Sequence, residues 1–101
     1  MADSPADRSV TVTRADERSR YEIHVDGALA GFTEYRDEAS RIVFTHTEVD
    51  DAYQGQGLAS ALVEAAVTDA ASRDLVIVPL CPYTARWLDR HEVSGARIER
   101  R

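Results

Sequence analysis

The stretch DDAYQGQGLASALVEAA, residues 50–66, sets two glycines, Gly55 and Gly57, just ahead of an alanine-rich helical run. A helix start needs a capping group, not two residues without a β-carbon. It does carry unpaired N–H groups and the positive end of the helix dipole. Glycines remove the side chains that would keep an anion away from those groups. The pattern therefore points to a phosphate cradle over Gln54, Gly55, Gln56, Gly57, Leu58 and Ala59, formed mainly by the amides of Gln56 to Ala59. The plainer reading is a glycine-rich turn that happens to begin a helix.

Ahead of the loop the pattern has period two. Residues 9–13 alternate valine with polar residues and read as a short strand, and RADERS reads as a charged turn. In YEIHV, Tyr21, Ile23 and Val25 share one face and Glu22 and His24 the other. Asp26-Gly27 then signals a hairpin, because a type I′ turn needs positive φ. ALAGFTEYR returns, DEAS turns, and RIVFTHTEV is a longer strand. Strict alternation there puts Ile42, Phe44, His46 and Glu48 on one face and Val43, Thr45, Thr47 and Val49 on the other.

Beyond the loop the period is helical. From about Gly57 to Arg73, Leu58, Leu62, Ala65 and Ala66 mark an apolar stripe, with Ser60, Glu64, Thr68 and Ser72 opposite. LVIVPL is an apolar run of strand length, as expected of a strand covered on both faces. Pro82 suits a first helical position with Cys81 as its cap, and Tyr83 and Trp87 lie one turn apart. A short last strand is expected around residues 96–99. The fold class is α/β (α+β): an antiparallel meander, one β-α-β unit and a short C-terminal helix. The domain spans residues 9–101, and residues 1–8 read as a flexible tail.

A chain of 101 residues is one domain by length. Its apolar fraction of 44% is ordinary for a globular protein. With 18 acidic against 12 basic residues the net charge is −6, which argues against nucleic acid as a partner. No run approaches a membrane span, and the start MADSPADRSV lacks a signal pattern, so a cytoplasmic protein is expected. One cysteine excludes an internal disulfide, and three histidines without metal spacing argue against a metal site.

The loop fails as a P-loop, which needs lysine, because every basic residue is arginine. It fits a Rossmann fingerprint poorly: Ser60 stands at the third glycine, and the strand before it belongs to an antiparallel meander. It matches [QR]-x-x-G-x-[GA] through Gln54, Gly57 and Ala59. With its strand–helix–strand setting and the segments HTEV, YQGQGLASALV and VPLCPYTARWL, the chain from about Ala28 to Leu88 resembles the GNAT N-acetyltransferase superfamily, in particular its small single-domain, acetyltransferase-like members. The resemblance implies an acetyl-CoA co-substrate and an amine acceptor. It implies a pantetheine arm lying where the fourth and fifth strands splay, paired with backbone near Thr47 to Val49. The acceptor could be a small amine or a protein amine, and a homodimer could complete its site. The rival reading is a CoA-binding module without efficient turnover, acting as a sensor or partner-binding domain.

Four residues are candidates for chemistry. Cys81, at a helix start where the dipole lowers a thiol pKa, could be nucleophile, acid or inert wall. His46 and Glu48, on the strand entering the loop, could take the proton of an amine. The resemblance implies a tyrosine on the last helix, in a pattern N-x-x-A-x-x-x-Y. Anchored on Ala85, that pattern meets Pro82 and Asp89 instead, so Cys81 or Tyr83 would have to stand in. Against these stand plainer roles: buried thiol, wet sheet face, and core packing for Tyr83 and Trp87. The charges Arg86, Asp89 and Arg90 read as a solvated face.

Overall fold

The computed structural model describes residues 9–101, so the expected tail at 1–8 lies outside the described residues. Six strands form one sheet in chain order: β1 (Val10–Ala15), β2 (Arg20–Val25), β3 (Ala28–Glu38), β4 (Arg41–Val49), β5 (Val76–Pro79) and β6 (Arg97–Ile98). The pairs from β1 to β4 are antiparallel, and β4–β5 and β5–β6 are parallel. Helix α1 (Leu58–Ser72) joins β4 to β5, and α2 (Pro82–Arg90) joins β5 to β6. The α/β architecture expected from the change of period at the loop is the one observed.

One face of the sheet and both helices share the core. Tyr21, Ile23, Ile42, Phe44 and Ile77 meet Leu58, Leu62, Val63, Ala66, Val67 and Ala70 of α1 and Trp87 and Leu88 of α2. The buried stripe of α1 is rotated from the expected one: Val63, Val67 and Ala70 are inside, and Ala65 is only half-buried. The hairpin after β2 forms at Asp26 and Gly27, with φ of 50° and 86°. RADERS is partly strand: β1 runs to Ala15, and a single 3-10 turn covers Asp16–Arg18.

Two networks tie the meander together. The Tyr21 hydroxyl donates to Asp69 of α1 at 2.6 Å, and Arg14 donates to the same carboxylate at 2.8 Å. On the outer sheet face Glu22 is 5% exposed rather than wet. Arg18 and Arg20 each donate to its Oε2 at 2.8 Å and so cover it. The Arg18 bond, helped by Arg20, holds the Glu22 carboxyl down at about 2 from its usual 4.5. A folded-state value below the unfolded one gives stability that is complete above about pH 4.5 and lost as pH falls toward 2. Glu22→Gln should therefore melt below wild type at pH 7, with the gap closing on acidification through that window. Parallel pH-dependent circular-dichroism melts check this, and a gap independent of pH would refute it.

Candidate active site

The loop after β4 opens with a 3-10 turn, Asp51–Tyr53, capped by Asp50 through Ala52 N at 2.9 Å. Gln54 Nε2 then donates to Val49 O at 2.8 Å and folds the loop back onto its strand. Gly55 and Gly57 both take positive φ, 80° and 74°. Gly57 caps α1 without a side chain, and its carbonyl accepts from Ala61 N at 3.1 Å. The amides of Leu58, Ala59 and Ser60 precede that first helical bond and face the loop. A β-carbon built at Gly55 or Gly57 meets nothing within 4 Å. The glycines thus serve backbone conformation and open approach, not avoidance of a protein neighbour. The space beside them is a pocket of about 90 Å³, lined by Val49, Gln54, the two glycines, Ser60 and Tyr83 among others.

At the other end of the site β4 leaves β5. Their pairing runs from Arg41↔Val76 to Phe44↔Pro79 and stops. The amides of Leu80 and Cys81 both donate to Phe44 O, at 3.0 and 2.9 Å, so β5 turns away into α2 there. Of the remainder of β4, His46 to Val49 pair only with β3. At the same point β4 holds one extra residue: Tyr35 pairs with Phe44 and Glu34 with His46, which leaves Thr45 as a bulge.

The bulge corrects the expected alternation. Ile42 and Phe44 belong to the core, but His46 and Glu48 turn to the outer sheet face, while Thr47 and Val49 turn to the helices. His46 Nε2 and Glu48 Oε1 lie 3.0 Å apart and are largely exposed. The Glu48 bond raises the His46 pKa above its usual value, with smaller contributions from Glu34 and then Cys81. Thr47, inside, stands 2.8 Å from Thr33 Oγ1 and accepts from Cys81 Sγ at 3.4 Å.

Cys81 is 4% exposed and caps α2, with Pro82 at the first helical position as expected. Burial pushes its thiol up, but Thr47 and the amides of Thr84 and Tyr83 outweigh that and bring it below the usual value. Thr84 Oγ1 is itself buried and makes no hydrogen bond among the described residues. Val49 lines the glycine pocket and Thr47 touches Cys81, so one face of β4 connects the uncapped helix start to the thiol.

This arrangement, a glycine-bearing helix start beside a splayed parallel pair, can be set against known proteins. A sequence profile described as GCN5-related N-acetyl-transferase matches residues 20–97, most of the chain. The chain belongs to the GCN5-related N-acetyltransferase family. Among solved structures, its fold is similar to a GCN5-like protein from Staphylococcus aureus, solved by NMR, with a TM-score of 0.60 and 23% identity. That match covers 79% of this chain and 78% of the other. It is also similar to Ard1 from Thermoplasma volcanium, with a TM-score of 0.52 and 20% identity over 58% of this chain. This chain spans 41% of the length of that Ard1 structure. No curated protein matches the chain.

As a GCN5-related chain it departs from the expected pattern at Asp89. That residue holds the place anticipated for a tyrosine and is paired with Arg100 at 2.9 Å. Tyr83 is half-buried and lines the glycine pocket, whereas Trp87 is buried in the core. So the packing role expected of both aromatics holds for Trp87, and Tyr83 faces the pocket as well. Sequence reasoning missed Thr84, Ser60 and Tyr53. The 3-10 turn that orients Tyr53 is signalled only by the Asp50 cap. Thr84 could have been suspected from its place three residues after the N-cap, but its burial could not. Among the described residues no cluster of three or more His, Cys, Asp or Glu could hold a metal, and no helix is long and apolar enough to cross a membrane.

Proposed function

We propose that this chain is an acetyl-CoA-dependent N-acetyltransferase, with Cys81 as the first acceptor of the acetyl group and an amine as the second. The observation that carries the reading is the face of β4 that joins the glycine pocket at Val49 to the Cys81 sulfur at Thr47. The donor fits these residues. The open glycines and the uncapped amides of Leu58 and Ala59 suit a diphosphate. The part of β4 left unpaired by β5 suits the amides of a pantetheine arm. An acidic protein can hold such an anion because backbone, not side-chain charge, makes the cradle.

Acetyl-CoA supplies an acetyl group activated as a thioester. The Cys81 thiolate forms a bond from sulfur to the acetyl carbon as the bond to the CoA sulfur breaks, and the electron pair leaves on that sulfur. The hydroxyl of Thr47 and the α2 amides lower the thiol pKa and so favour the attacking form. An amine arriving from the outer sheet face then attacks the Cys81 thioester. His46, held by Glu48, takes the amine's proton, and Cys81 returns as thiolate. His46 and Cys81 lie on opposite faces of β4, so this step requires the amine to reach the thioester through the gap left where β5 departs beyond Phe44.

Thermal unfolding with acetyl-CoA, free CoA and ADP tests the donor site. At ~100 Kd, one-site binding adds about 2.7 kcal/mol, which moves the midpoint of so small a domain by roughly ten degrees or more. A large shift with either CoA species and little with ADP is expected. Gly57→Val, which fills the approach to the amides, should abolish the shift. No shift at millimolar CoA would end this reading.

A further inference from the structure

Beside the glycine pocket lies a second one of about 180 Å³, lined by Ser60, Tyr83, Arg86, Trp87, Arg90 and His91. The two share Ser60 and Tyr83 as a common wall. Its floor is fixed. Trp87 Nε1 donates to Ser60 Oγ at 2.8 Å, and the His91 ring stacks on Trp87 with centroids 4.1 Å apart and planes within 12°. His91 Nδ1 lies 2.9 Å from Trp87 O, which holds the imidazole in place. His91 is exposed, so its ring offers a planar surface at the mouth.

The arginines at this mouth are exceptional. Every other arginine among the described residues is held by a carboxylate or a carbonyl. Arg86 and Arg90, one helical turn apart on the exposed side of α2, have no such partner among the described residues. In a chain of net charge −6, acidic partners are plentiful, and among the described residues these two guanidinium groups are left without one.

This argument rests on the acetyl-CoA reading. CoA carries pantetheine on one side of its diphosphate and 3′-phosphoadenosine on the other. With the diphosphate at the glycine loop and pantetheine running along β4 toward Cys81, the nucleoside end leaves past Ser60 and Tyr83. A planar base then meets a stacked aromatic surface, and the phosphate meets the guanidinium groups of Arg86 and Arg90, whose forks suit phosphate oxygens. We infer that Arg86 and Arg90 bind the 3′-phosphate of CoA and make the donor site select CoA over dephospho-CoA.

Isothermal titration of wild type and of Arg86→Gln/Arg90→Gln with CoA and with dephospho-CoA tests this. Wild type should prefer CoA by roughly ten- to hundredfold, the scale of charge-assisted bonds to one phosphate. The double variant should bind the two ligands within about threefold of each other. Its affinity for dephospho-CoA should equal that of wild type, and its ligand-free melting midpoint should be unchanged, since both side chains are exposed and unpaired among the described residues. Equal wild-type affinity for the two ligands would overturn this inference and leave the donor site standing. A variant that loses both ligands equally would overturn it too, because the arginines would then act as general attractors. Absence of any CoA binding would remove both readings.

Discussion

Gly31→Ala is expected to lower the unfolding free energy by about 2–3 kcal/mol and the thermal midpoint by roughly 10–20 °C. Gly31 pairs with Val49 where β3 presses against the end of β4. A β-carbon there would stand 2.6 Å from Glu48 O and 3.1 Å from both Cα and Cγ2 of Val49. Its neighbours are backbone and a β-branched side chain, neither of which can swing away. Gly55→Ala is the informative comparison. At φ of 80° with open space, it meets only the left-handed penalty of about 1–2 kcal/mol. Differential scanning calorimetry of the two variants should show Gly31→Ala as the worse. Equal losses would mean that β3 relaxes freely around Val49. Because the displaced segment is Glu48–Val49, Gly31→Ala should also reduce the stabilisation given by acetyl-CoA.

Cys81→Ser is expected to reduce acetyl transfer by at least about 100-fold, the scale on which a positioned catalytic group acts. Affinity for acetyl-CoA should stay close to wild type. The serine hydroxyl can keep the bond to Thr47, but it is a far weaker nucleophile than the thiolate. Mass spectrometry of wild type after brief exposure to acetyl-CoA should show one acetyl group on Cys81, and the serine variant should show none. The alkylation rate of Cys81 with iodoacetamide should rise with pH through a midpoint below that of the same thiol in the unfolded chain, because the folded site lowers that pKa. Thr84→Val separates chemistry from packing. It replaces a buried hydroxyl that makes no hydrogen bond among the described residues, so stability should hold or improve. It keeps the Thr84 amide and Thr47, which lower the thiol pKa, so the alkylation midpoint should stay close to wild type. Turnover unaffected by Cys81→Ser would reduce the thiol to part of the wall.

The division of the chain at residue 50 was legible because period two and period 3.6 leave different marks, and the loop between them carries glycines that no strand or helix needs. Pro82 after an apolar run marked the start of α2 for the same local reason. The sheet face of His46 and Glu48 was not legible. Alternation extrapolates only while each residue has one partner, and the extra residue at Thr45 is fixed by the pairing with β3. Glu22 likewise lies on the face that alternation assigns it, yet it is buried because Arg18 and Arg20 lie over it. Arg86 and Arg90 read as a solvated face because a sequence shows charges but not which of them lack a partner.

Thr45 is a spare link in β4. The residues on either side of it keep their alternation without it: Phe44 points to the helices, His46 away from them and Thr47 back again. Removing that one residue would therefore leave each remaining side chain on the face it already occupies. The loss would be of shape, since a bulge bends its strand and adds local twist. That bend sits where the pairing of β4 with β5 ends. A β4 shortened by one residue would run straight enough for β5 to stay zipped to it past Phe44, closing the space assigned to pantetheine. A Thr45 deletion that folds yet gains no stability from acetyl-CoA would bear this out, and one stabilised like wild type would refute it. The width of the cleft is then a matter of chain length at a single position, so an otherwise intact copy of this domain could be silenced without changing any residue that meets the ligand.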